Sequence, residues 1–126
     1  MDTNLVLRDG STHLTADETL TTCEIGPMVR PLWLHVIVPA AGNAGATHKL
    51  DVELEFCAVG ATTTEIYNMN MKQIIAAGHY AIPFYTLLEY VYVKLNITDD
   101  GGADLDLAHV KVWIDPSNRY DGPYNT

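Results

Sequence analysis

The chain has 126 residues, 48% of them hydrophobic and 18% charged, with sixteen acidic and seven basic side chains for a formal charge of -9. That length suits one buried core rather than two, the apolar fraction is too high for a disordered chain, and no run nears the roughly 18 apolar residues of a membrane helix. The negative excess repels phosphate backbones and anionic lipid, so neither nucleic acid nor membrane is an expected partner.

Met1-Asp2-Thr3-Asn4 carries no basic leader and no apolar core, so synthesis in a cytoplasm without a secretory signal is expected. The two cysteines, Cys23 and Cys57, form no CxxC or zinc-type cluster and read as buried free thiols.

In chain order, residues 19–25 read as a short Thr-rich strand. Residues 32–38, Leu-Trp-Leu-His-Val-Ile-Val, are apolar almost throughout and sit between Pro31 and Pro39, which predicts a strand covered on both faces. Strict alternation in residues 50–56 places Leu50, Val52, Leu54 and Phe56 on one face and Asp51, Glu53 and Glu55 on a solvated one. A short strand is expected at 64–68, and 68–77 is the one helix candidate, of one or two turns.

Residues 79–84 predict a further strand that Pro83 consigns to a sheet edge. Residues 90–97 alternate again, with Val91, Val93, Leu95 and Ile97 facing in and Tyr90, Tyr92, Lys94 and Asn96 facing out. In 108–114, Val110, Val112 and Ile114 face the core while His109, Lys111 and Trp113 lie opposite. Seven or eight short strands divided by Gly- and Pro-containing turns predict an all-β, antiparallel sandwich or barrel in a single domain over residues 1–126. Residues 1–8 read as an extended N-terminal arm and 115–126 as an extended C-terminal tail.

Chemistry-bearing patterns are sparse. His13, His35, His48, His79 and His109 stand singly, without HxH or HExxH, and the one cross-strand pair we weigh as a metal site is His35 with His109. Asp99, Asp100, Asp104 and Asp106 surround Gly101-Gly102 but miss the EF-hand spacing, and read as a solvated hairpin. Glu53 and Glu55 share an open face that would not separate their pKa values as a glycosidase pair requires. No phosphate-cradling glycine motif occurs. These patterns predict no catalytic residue, no metal and no cofactor.

Aromatic and arginine side chains remain, the types enriched at interfaces: Tyr92 and Trp113 on outward strand positions, and Arg119, Tyr120 and Tyr124 in the tail. With Leu5 and Arg8 of the N-terminal arm they form the expected contact set.

Several segments taken together resemble a known family: Asn4-Leu5-Val6-Leu7; Leu14-Thr15-Ala16; residues 30–38; residues 50–56; Gly78-His79-Tyr80-Ala81-Ile82-Pro83-Phe84; and Glu89-Tyr90-Val91-Tyr92-Val93-Lys94-Leu95. Their order and spacing resemble the small cement, or decoration, proteins of tailed-phage capsids, from about Asn4 to about Tyr120. The chain departs from the family's pattern at residues 89–93, which lack the arginines found there. The resemblance implies a jelly-roll-like β-sandwich, no catalytic activity, a dimer or trimer, and a place on the outside of the virion bridging copies of the major capsid protein. The alternative reading is a carbohydrate-binding sandwich that stacks sugar rings on Trp33, Trp113 or Tyr92.

Overall fold

The structure is a computed structural model and describes residues 5–12, 14, 16–25, 28, 30–39, 48–58, 66–99 and 109–115. Nine strands lie among them: β1 (Leu5–Asp9), β2 (Glu18–Thr19), β3 (Cys23–Glu24), β4 (Leu32–Val38), β5 (His48–Cys57), β6 (Tyr67–Asn70), β7 (Gly78–Phe84), β8 (Tyr90–Asp99) and β9 (Lys111–Asp115). Every pairing among them is antiparallel.

They form two sheets. The first runs β1-β9-β4-β7, and the second runs β2-β8-β5-β6 with β3 also on β8. Alternation in β4 sends Leu34, Val36 and Val38 inward, and Val112 and Ile114 of β9 join them. Leu50, Val52, Leu54 and Phe56 of β5 meet Val91, Val93 and Leu95 of β8 on the facing side of the second sheet. These side chains form one cluster, and Phe56 and Phe84 touch across the layers with ring centroids 5.8 Å apart. Fully burying each Leu or Val stabilises the sandwich by about 1.5–3 kcal/mol, so this row of alternating residues is the main reason the two layers stay together. The expected all-β sandwich is therefore the fold observed.

Pro83 does lie on an edge strand, since β7 ends the first sheet. A proline there removes an N–H from the outer edge of the sheet, where another strand would otherwise add. The helix expected at 68–77 does not form. That segment instead follows β5 as β6 and then as an extended run, in which the Met71 amide donates to the Val52 carbonyl and Ile74 exchanges both backbone bonds with Leu50. Pairing to the open edge of β5 outweighs a weak local helix preference, because Ile74 is thereby buried against the core. The strand expected at 19–25 is split into β2 and β3.

Residues 5–8 of the expected arm belong to β1 and pair with β9. A β-bulge between Val6 and Arg8 shifts the register, so that Val6 stands opposite Trp113 and Arg8 opposite Val112. Arg8 thus turns inward at the seam between the sheets. Its Nε and Nη2 donate to both carboxylate oxygens of Glu18 on β2, at 3.0 and 3.2 Å, and its Nη1 donates to the Val110 carbonyl at 2.7 Å. A cleft of about 340 Å³ lies beside this pair. Gly10, at φ +80, closes the turn after β1, and a Cβ there would come within 2.9 Å of the His109 carbonyl oxygen.

Candidate functional site

The outward side of the first sheet carries a polar cluster rather than solvated side chains. Trp33, His35 and Ile37 alternate with the core residues of β4, and the register sets His35 directly opposite Trp113 of β9 and Ala81 of β7. Asp115 stands opposite Trp33, and His79 opposite Ile37. His79, His35 and Asp115 therefore follow one diagonal across three neighbouring strands.

Each link in that diagonal is short. His35 Nε2 lies 3.3 Å from Asp115 Oδ1, and His35 Nδ1 lies 3.0 Å from His79 Nε2. The Trp113 indole N–H donates to Asp115 Oδ2 at 3.0 Å, and the Trp113 ring stacks on His35 with centroids 4.7 Å apart and planes within 3°. His79 approaches both rings, with centroids 5.2 Å from each. His35 and Trp113 are fully buried and Asp115 is 5% exposed. Such residues tolerate burial here because the carboxylate accepts from two ring N–H groups, and charge-assisted bonds of this kind each contribute about 1.5–3 kcal/mol.

Burial lowers the pKa of His79 below its usual value, the His35 ring adds to the effect, and the Asp115 carboxylate opposes it. His79 is consequently neutral near pH 7. The two contacts of His35 use opposite nitrogens of its ring, so Asp115 and His79 do not converge on one point. Among the described residues, no group of three or more His, Cys, Asp or Glu could hold a metal ion. His35 does not meet His109, whose Nδ1 instead donates to the Gly10 carbonyl at 2.7 Å.

A second feature is apolar and exposed. At the end of the sandwich where β7 leads into β8, Tyr85 and Leu87 are 50% and 82% exposed, and Ile66 and Tyr67, where β6 begins, are 60% and 43% exposed. The Tyr67 hydroxyl donates to the Thr86 hydroxyl oxygen, which joins the two segments, and the Tyr85 hydroxyl donates to the Met28 carbonyl at 3.0 Å. Thr86 is itself buried and its Oγ1 accepts from the Leu88 amide. The corner is thus held in shape from beneath while four large apolar side chains face outward.

Of the contact set expected from the sequence, Leu5 is 39% exposed on β1. Arg8 is buried against Glu18, Tyr92 is 5% exposed, and Trp113 is fully buried. None of these three presents a free face to a partner, a correction with two causes: for Tyr92 and Trp113, alternation says which side of a strand a residue takes, not whether that side is covered, and Arg8 is turned inward by the bulge in β1. Glu55, expected on a solvated face, is also buried, with the Lys94 ammonium 3.9 Å away. Arg119, Tyr120 and Tyr124, like the Asp100, Asp104 and Asp106 loop, lie outside the described residues.

Both cysteines are free and buried, and burial pushes the Cys23 thiol up to about 11 and raises that of Cys57 as well, so neither is an activated nucleophile. The sequence reading missed His79, Asp115 and the apolar corner. The signals were present as the pairs Trp33-x-His35 and Trp113-x-Asp115, whose i, i+2 spacing puts both members on one strand face. For the corner the signal was Tyr85-Thr86-Leu87-Leu88, an apolar run where a turn should be polar.

No protein-family model matches the chain, and neither characterised proteins nor solved structures gave a match.

Proposed function

We propose that this protein is a non-enzymatic capsid cement protein, which docks on the outside of an assembled phage shell and clamps neighbouring major capsid protein subunits against internal pressure. The observation that carries this reading is the exposed corner formed by Ile66, Tyr67, Tyr85 and Leu87 on an otherwise strongly acidic chain. Exposed apolar side chains on two segments joined by the Tyr67–Thr86 hydrogen bond, with Tyr85 anchored on the Met28 carbonyl, are characteristic of a protein-binding surface. The strand order β1-β9-β4-β7 facing β2-β8-β5-β6 supports the finer reading of the sandwich as a jelly roll. The resemblance noted in the sequence supplies the partner, and its best segments become β7, which leads into the corner, and β8, which leaves it.

Clamping follows from linkage. A small protein that binds only the expanded lattice stabilises that lattice in proportion to its differential affinity, and many copies multiply a weak contact. We assign docking to the corner, Leu5 and the tail residues Arg119, Tyr120 and Tyr124, with self-association into a dimer or trimer on the virion surface. Carbohydrate binding is the weaker reading, because Trp113 and Tyr92 are buried and only Trp33 among the three stacking candidates is partly accessible.

The test is co-sedimentation of the purified chain with expanded and unexpanded shells built from a tailed-phage major capsid protein. Binding to expanded shells alone, lost in Leu87→Ser with an unchanged melting temperature, is the expected result. Equal recovery with and without shells would overturn the reading.

A further inference from the structure

No glycine or proline shapes the turn between β7 and β8, whose residues 85–89 run Tyr-Thr-Leu-Leu-Glu. Its shape is imposed from outside. Met28, 58 residues before Thr86 in the chain and a member of the core cluster, holds two successive residues of the turn. Its carbonyl accepts from the Tyr85 hydroxyl at 3.0 Å, and its Sδ accepts from the Thr86 backbone N–H at 3.3 Å.

Met28 is 8% exposed and Thr86 2%, so water has little access to take the place of the second bond. A thioether is a weak acceptor, but a buried backbone N–H left without any acceptor costs as much as a lost hydrogen bond. The Thr86 side chain carries the restraint onward, since its Oγ1 accepts from the Tyr67 hydroxyl and from the Leu88 amide. Tyr85, Thr86 and Tyr67 are thereby registered against one core residue, and Leu87 is fixed between two bonded neighbours.

We propose that Met28 is the positioning residue of the exposed corner, its sulfur acting as the peg that fixes the Thr86 backbone and so presents Tyr85 and Leu87 in one arrangement. The use of that arrangement in docking rests on the function proposed above, whereas the peg itself does not.

Packing alone would accept leucine at this position, because leucine fills nearly the same volume and cores tolerate that exchange. It has no lone pair to offer the Thr86 amide. A partner that meets Tyr85 and Leu87 already placed does not have to immobilise them, which is worth about two- to tenfold in affinity for each side chain.

Amide hydrogen exchange of Met28→Leu against the unaltered chain tests the peg, with Met69→Leu as the control for loss of a sulfur packed on the same core. The Thr86 amide should be protected in the unaltered chain, and in Met28→Leu alone it should lose about tenfold or more of that protection relative to amides of β5 and β8. Loss in step with β5 and β8 would mean a packing role only and would overturn the proposal. So would a Thr86 amide that already exchanges freely in the unaltered chain. Co-sedimentation with expanded shells supplies the second arm: Met28→Leu should bind about fivefold more weakly than the unaltered chain while Met69→Leu binds as before. Equal binding by Met28→Leu would overturn the positioning role. An unaltered chain that binds no shells fails the cement reading instead, and the exchange result still decides the peg.

Discussion

The outward faces of the two sheets are built from the same alternating pattern and have opposite characters. On the second sheet, Asp51, Glu53, Lys94 and Asn96 retain contact with solvent, while Glu55, Cys57 and Tyr92 on the same side are buried. On the first, His35, Ile37, Trp113 and Asp115 are all buried, and His79 is partly so. One face uses charge to stay wet, while the other satisfies its polar atoms internally and excludes water. Low-dielectric shifts take different forms on the two sheets: a depressed histidine pKa at His79 on the first, and raised thiol pKa values at Cys57 and Cys23 on the second.

Substitutions rank the two faces. Trp113→Ala should have the largest effect, about 3–5 kcal/mol, because it leaves a cavity where a fully buried indole was and removes a donor to Asp115; urea unfolding measures it. Asp115→Ala should cost about 2–4 kcal/mol by leaving the Trp113 and His35 N–H groups without their acceptor, again read from urea midpoints. On the other sheet, Glu55→Gln should stabilise by up to about 1 kcal/mol, since a neutral amide is easier to bury and Lys94, 39% exposed, loses little. Glu53→Ala should move the melting midpoint least, within about 0.5 kcal/mol. If Glu53→Ala or Glu55→Gln destabilised as much as Asp115→Ala, the contrast between the faces would be lost.

Much of this architecture was legible in the sequence. The alternation in 50–56 and 90–97 located the central pair β5 and β8, and the two prolines around 32–38 delimited β4 within a residue at each end. Pro83 placed β7 at an edge for a stereochemical reason that does not depend on context. Residues 68–77 misled because their fate was decided by a partner strand rather than by local preference. Trp113 and Tyr92 misled differently. Their side of the strand was read correctly, but the coverage of that side is a tertiary property that a period of two does not encode. The link between His79 and Asp115 is less legible still, since it needs the register of three strands that are far apart along the chain.

The bulge in β1 has a consequence for how an acidic chain places its few cations. In an uninterrupted strand, Leu7 would oppose Val112, and Arg8 would come to stand across from Lys111, setting like charges face to face. One supernumerary residue moves the guanidinium through half a pleat. It then meets Glu18, and a cation that would have pushed the border strand away from its neighbour instead ties the margin of one layer to the margin of the other.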